Sequence, residues 1–545
     1  LQRLFCFVFF FLFLFALLSF DMLYLGLDSS TQSLTAILIE ASGARHAVAW
    51  QRSLNFDETF PGYGTRHGVL PNADPRVARS SPRMWAEALD RMLGLLVEES
   101  GVDLSILAAI AGSGQQHGSV YLAGEQSRLA SLDPSRPIAD QLDGVFSRAE
   151  SPIWMDSSTA AECEEITRAI GGAAALAQLT GSRAFERFTG PQIRRFMKDD
   201  PAAYARTGRI HLVSSFLASL LAGGDAPIDP GDGAGMNLMD LAAKKWSAPA
   251  LDATAPGLAA KLPPIAESWT IAGPLAPYWQ RRHGLPAAKV VAWTGDNPSS
   301  LVGTGLVEEG HVAISLGTSD TIFGVMDAPR VDRSGTGHVF GAPTGGYMGI
   351  TVFKNGSLAR ERVRDAAGLD WAAFARALRE SPPANGGALM LPWFEPEITP
   401  TVLTPGVHER GLSAADPRAR VRAVVEGQMM SIARHSRWMG VTVDEIHATG
   451  GAAASDEILQ VMADVFDAPV RRFEIGNSAC LGAALRAWHA DAQSSGHPVP
   501  WRTVTDAFVR PTGAAIAPSP GARAIYAPLM ERQAQFEVDA LAQRR

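Results

Sequence analysis

Cysteine is nearly missing from this chain: Cys6, Cys163 and Cys480 are the only three in 545 residues. Three thiols cannot build a disulfide framework, and their spacing fits no metal-ligand pattern. That points to a reducing cytosolic compartment. Positive charge is not in excess either. Lys and Arg number 48 against 56 Asp and Glu, a net charge of −8, which excludes a general electrostatic attraction to nucleic acid. Two nucleotide-binding signatures are also lacking. No G-x-x-x-x-G-K-[ST] occurs, so this is not a P-loop protein. No G-x-G-x-x-G opens a helix after a strand, which disfavours a dinucleotide fold. What is present is ordinary packed-protein chemistry: 46% hydrophobic and 19% charged residues, unlike a disordered chain. The length allows two α/β domains of about 250 residues or three to four smaller ones.

The beginning is unusual. Residues 4–20 read LFCFVFFFLFLFALLSF. That is short of the roughly 20 apolar residues of a membrane helix, and it lacks the cleavage site of a signal peptide. The reading favoured is that 1–21 is upstream sequence outside the fold, with a start at Met22 and no membrane anchor.

Further on, strands and helices alternate, which is an α/β pattern. MLYLGLD (22–28) is an apolar run ending in an acid. A hydroxyl-rich turn, 29–33, and a second β-rich run, 34–39, complete a strand–turn–strand unit. Residues 82–100 predict an amphipathic helix, with Ser81 as cap and Trp85, Leu89, Met92, Leu93 and Leu96 on one face. A strand over 106–111 leads into GSGQQHG (112–118). Short strands are expected at 152–155, with a helix from Ser157 or Ser158, and at 290–293. Residues 223–235 read as a Gly/Asp/Pro loop whose Asp229 and Asp232 are turn acids. HVAISLGTSDTIFGVM (311–326) echoes 22–39: strand, hydroxyl turn with an acid, strand. The echo predicts two similar domains facing a shared cleft. Strand 446–448, TGGAAAS (449–455) and helix 456–466 close the pattern.

Tight hydroxyl turns expose N–H and O–H groups that bind phosphate oxygens, and an acid at a strand end can hold Mg²⁺ through water. D-S-S-T-Q (28–32) and G-T-S-D (317–320) both qualify; each alone is equally an ordinary polar turn. Asp296 and Asn297, in TGDN, are placed to take an alcohol proton and fix the alcohol, or else to cap a helix. Gln116 and His117 can hydrogen-bond hydroxyls. Arg187 can reach an oxygen-rich ligand or sit in an ion pair. TGGAAA is either a phosphate-approach loop at a helix N-terminus or a tight connection. The Asn355-Gly356-Ser357 sequon matters only in a secreted protein.

Taken in order, LGLDSSTQS, SGQQHGSVY, PIWMDSST, TGSRAFERFTG, GMNLMD, TGDNPSSLVG, SLGTSDT, FKNGSL and LQVMADVFDAPV closely resemble the FGGY carbohydrate kinase family, in particular its eukaryotic-type branch acting on D-xylulose. The likeness spans residues 23–530. It implies two ribonuclease H-like (actin-like ATPase) domains around a central cleft: a sugar-binding N-terminal domain over 22–306 and a nucleotide-binding C-terminal domain over 307–530. It implies transfer of the ATP γ-phosphoryl group to the 5-hydroxyl of D-xylulose, with closure of the cleft. By the same resemblance, Asp296 is the catalytic base and, with Asn297, Gln116, His117 and Arg187, contacts the sugar. Asp28 lies near Mg²⁺, with Thr31 and Gln32 beside the phosphates. Gly317, Thr318 and Ser319 form the second phosphate loop. Trp371, Gly450, Gly451, Ala452 and Ser455 lie along the nucleotide. Ser455 departs from the branch, which has Asn there, and LPWFEPEITP (391–400) follows the bacterial pattern. The resemblance leaves room for a homodimer and gives no reason for a nucleic-acid or membrane partner.

Overall fold

The computed structural model describes residues 22–41, 46–124, 127–413, 416–474 and 476–543. The apolar leader 1–21 therefore lies outside the described residues. Two seven-stranded sheets organise the rest. In the first, Met22–Ser29 runs antiparallel to Ser33–Ala41, which pairs antiparallel with His46–Asn55; on its other side Met22–Ser29 runs parallel to Leu107–Gly114, itself parallel to Lys289–Val291. In the second, His311–Leu316, Asp320–Met326, Tyr347–Phe353, Glu445–Thr449 and Val470–Arg472 repeat that order and those directions. The expected duplication is thus visible in pairing as well as in the two hydroxyl turns.

Both strand pairs are apolar because they are buried on two faces. One face of the first sheet packs against helix Pro82–Glu99, whose Trp85, Leu89, Met92, Leu93 and Leu96 are all buried as the period requires. Ser81 occupies the cap position, but its side chain makes no capping bond. The opposite face is covered by a helix from near the other end of the chain, Ser478–Ser494. Its Cys480, Leu481, Ala484 and Leu485 pack with Tyr24, Ile37, Ile39 and Ala109. This helix also crosses helix Asp296–Gly303 at a pair of glycines. A Cβ on Gly303 would sit 1.9 Å from the Ser478 carbonyl, and one on Gly482 would sit 1.9 Å from the Ser299 carbonyl. Only glycine allows backbones to approach so closely.

Three local expectations are corrected. The strand over 152–155 shrinks to Ser151–Pro152, and the following helix begins at Ala160. The cause is Asp156, which accepts the Ser158 N–H at 3.0 Å and folds the chain into an Asx turn. Asp156 is a buried structural acid, also accepting from Ala78 N and Gln192 Nε2. Within 223–235, Pro230–Ala234 is a short helix rather than loop, capped by Asp229, and both Asp229 and Asp232 are buried. Finally, Asp320 is no counterpart of Asp28. It opens the strand after its turn and is neutralised by a buried bidentate pair with Arg360, at 2.8 and 3.0 Å.

Candidate active site

The first sheet presents its strand ends to the cleft. Asp28, near the end of Met22–Ser29, accepts a 2.7 Å hydrogen bond from Ser113 Oγ on the neighbouring parallel strand. Asp296 is the first residue of helix Asp296–Gly303, one position past its cap residue Gly295. Asp296 Oδ1 receives the Asn297 N–H at 2.8 Å and the Asn297 side-chain amide at 3.0 Å. Burial, and then the nearby Asp28 charge, raise the Asp296 pKa to about 7; burial raises Asp28 to about 6. Two converging carboxylates with raised pKa values call for a cation, and hard oxygen donors of this kind suit Mg²⁺. The hydroxyl of Ser29, the next residue on that strand, is buried and has no hydrogen-bond partner among the described residues.

Gln116 holds Asn297: its Oε1 accepts from Asn297 Nδ2 at 3.2 Å, and its Nε2 donates to the Gly231 carbonyl at 3.1 Å. His117 has a left-handed backbone, φ 71°, costly for a non-glycine residue and a frequent mark of functional sites. Its Nδ1 lies 2.7 Å from the Gly235 carbonyl, which can only accept, so Nδ1 carries the proton and Nε2 is an acceptor. Burial pushes this imidazole well below its ordinary pKa and keeps it neutral. Its ring stacks on Phe188 at 4.3 Å.

Arg187 is not in an ion pair with any described carboxylate. Its guanidinium lies over Phe185 and Phe188, and Nη2 donates to His338 Nε2 at 3.3 Å. His338 belongs to strand His338–Gly341 of the second sheet, so the second half supplies the partner of Arg187. Burial and Arg187 pull His338 down to about 3, and its Nδ1–H is left for Ser182 Oγ at 3.2 Å. Nothing in the sequence around His338 signals this contact, which spans 151 positions. Asp232 was missed as well. It is buried, accepts from Ser214 Oγ, feels the Asp296 charge, and has one carboxylate oxygen without a partner among the described residues.

On the other side of the cleft, the second hydroxyl turn is braced from below. Ser357 N donates to the Gly317 carbonyl at 2.8 Å. A cavity of about 710 Å³ opens beside it and brings together Gly317, Thr318, Trp371, Gly451, Ala452 and Ser455. That volume suits a small-molecule ligand. Trp371 is half-exposed, and the Arg364 guanidinium lies 4.5 Å from its ring centroid. Ser455 caps helix Asp456–Phe466. Gly450 (φ 85°) sits against the Leu316 carbonyl, where a Cβ would come within 2.6 Å. Between the halves, Asn297 and Ser300 share a cavity of about 250 Å³ with Ser315, Thr321 and Thr449. Thr31 accepts a 2.7 Å bond from Nε1 of the half-exposed Trp154, while Gln32 is exposed. The sequon residue Asn355 is buried and donates to Glu397 at 2.8 Å, which closes it to glycosylation.

Comparison with known proteins speaks to the family of both halves. Residues 148–303 match the N-terminal domain, and residues 312–490 the C-terminal domain, of the FGGY family of carbohydrate kinases. The chain is 43% identical over 526 residues to a xylulose kinase of Mus musculus, covering 94% of this chain and 93% of that protein. It is 42% identical over 492 residues to xylulose kinase 2 of Arabidopsis thaliana, covering 86% and 87%. Among solved structures, a xylulose kinase from Rhodospirillum rubrum superposes with TM-score 0.79 at 20% identity over 95% of this chain and 98% of that one. A gluconate kinase from Lactobacillus acidophilus superposes with TM-score 0.77 at 18% identity over 96% and 99%. At these identities the solved structures speak for the fold.

Proposed function

The chain belongs to the FGGY family of carbohydrate kinases, and we propose that it transfers the γ-phosphoryl group of ATP to the 5-hydroxyl of D-xylulose. The observation that carries this reading is Asp296: a carboxylate raised to about 7 by burial and the nearby Asp28 charge, next to Asn297, which lines a cavity shared with Ser315, Thr321 and Thr449 of the second half. Phosphoryl transfer asks a protein for positioning and charge stabilisation more than for covalent work. Asn297, held by Gln116, fixes the alcohol. Asp296 accepts its proton as the bond to phosphorus forms. His117 Nε2 and Arg187 hold the remaining hydroxyls and carbonyl of the sugar. Trp371, Gly450, Gly451, Ala452 and Ser455 hold the nucleotide, with Gly317, Thr318 and Ser319 on one side of the phosphates and Thr31 and Gln32 on the other. Asp28 would hold Mg²⁺ through water, and the ion would supply charge neutralisation for the phosphates.

The substrate assignment rests on the 42–43% identical xylulose kinases. A panel of D-xylulose, ribulose, glycerol and gluconate, read by ADP release from the purified chain, tests it. D-Xylulose is expected to give the highest kcat/KM. A higher value for any other acceptor overturns the assignment while leaving the family intact.

A further inference from the structure

Away from the cleft, the second sheet brings together three side chains that the proposed reaction does not use. His311 and Glu445 open neighbouring parallel strands and are register partners; His447 lies two residues beyond Glu445 on the same face. One potential ligand atom from each lies within 4.8 Å of the others.

The hydrogen bonding of His447 is the telling observation. Its Nδ1 is 2.9 Å from the Thr304 carbonyl, an obligate acceptor, so Nδ1 carries the proton. In the neutral ring Nε2 is a lone pair, yet it faces Glu445 Oε1 at 3.3 Å, another acceptor, so the contact needs either a second ring proton or a bound cation. A positive species belongs between them. The separation suits a metal: bonds of about 2.0–2.1 Å in a tetrahedral shell put neighbouring ligand atoms roughly 3.4 Å apart. Both groups also have the outer partners that metal ligands have. The Thr304 carbonyl orients the imidazole, and Arg471 Nε binds the far carboxylate oxygen, Glu445 Oε2, at 2.6 Å. Phe473 stacks on the His447 ring at 4.2 Å. Neither ring nitrogen of His311 has a hydrogen-bond partner among the described residues. A cavity of about 310 Å³ borders all three side chains and leaves a fourth position for water.

We propose that His311, Glu445 and His447 bind one Zn²⁺-class ion. Two imidazoles and one carboxylate select such an ion over Mg²⁺ or Ca²⁺, which prefer oxygen. The site is separate from the catalytic cleft. His311 lies six residues before Gly317 and His447 three before Gly450, roughly 20 and 10 Å at strand spacing. Thr304 follows helix Asp296–Gly303, so the ion would tie the far end of the helix bearing Asp296 to the strands bearing both nucleotide loops.

The test is titration of the chelator-treated full chain with Zn²⁺ by calorimetry, in excess Mg²⁺ to fill the cleft, alongside thermal melting. The expected result is one equivalent bound and a raised Tm. His311→Ala and His447→Gln are expected to weaken binding at least about tenfold. Since His311 is only partly buried, His311→Ala should keep its far-UV circular dichroism. Co²⁺ in place of Zn²⁺ should give four-coordinate visible bands that His311→Ala abolishes. No bound equivalent, or equal binding by both variants, overturns the proposal and makes His447 an imidazolium paired with Glu445.

Discussion

At the residue scale, the proposed reaction can be tested on two groups whose protonation the fold has shifted, Asp296 and His338. Asp296→Asn keeps the shape and removes the proton acceptor, so kcat should fall at least about a hundredfold while nucleotide affinity is kept; steady-state kinetics and ADP titration check both. The raised pKa also fixes the sign of a stability effect. A carboxyl ordinarily near 3.8 but near 7 when folded binds its proton more tightly in the native state. Across that window stability therefore falls as pH rises. Asp296→Asn should then melt higher than the wild type at pH 8 and about equally at pH 4. Activity in the wild type should decline below about pH 7 as Asp296 takes up a proton. His338 acts through Arg187. Its replacement by Ala leaves the guanidinium without its acceptor, a loss of about 1 kcal/mol, so KM for the sugar should rise several-fold with KM for ATP unchanged. His338→Gln, which keeps an acceptor, should recover part of it. Equal changes in both KM values would instead mark a merely structural role. Asp296 and His117 stand out in the sequence because polar residues interrupt apolar strands at glycines. His338 and Asp232 do not, because their partners come from distant segments that only the folded chain brings near.

At the element scale, helix Asp296–Gly303 owes its position to helix Ser478–Ser494. Gly482→Ala drives a methyl into the Ser299 carbonyl, and overpacking of this kind costs about 1–3 kcal/mol. The prediction is a lower Tm together with a lower kcat, since the shift moves Asp296. Gly62→Ala, at an open position with nothing within 4 Å, should change neither. The hydroxyl turns and the helix 82–99 were readable from periodicity and turn chemistry. The short strand at 151–152 and the helix at 230–234 were not, because side-chain bonds to Asp156 and Asp229 decide them, and those carboxylates look like any loop acid until their partners are known.

At the scale of the whole molecule, the two sheets share one strand order and face each other across the cleft. Arg187 already touches His338 across the two halves, while Asn297 and Thr321 line a shared cavity that closure on substrates should narrow. Small-angle scattering should show a smaller radius of gyration with saturating D-xylulose and a non-hydrolysable ATP analogue than with neither. An unchanged radius would count against closure.

The long reach of helix Ser478–Ser494 has an outcome for biosynthesis. The strands of the first sheet are complete once residue 295 has emerged from the ribosome, yet the helix that seals one of their faces ends 199 positions later. At translation speeds of about 5–20 residues per second, that face stays bare for roughly 10–40 s. The nascent N-terminal portion is thus a natural client for chaperones, and a gene split between the halves should yield an insoluble first fragment unless the second is made beside it.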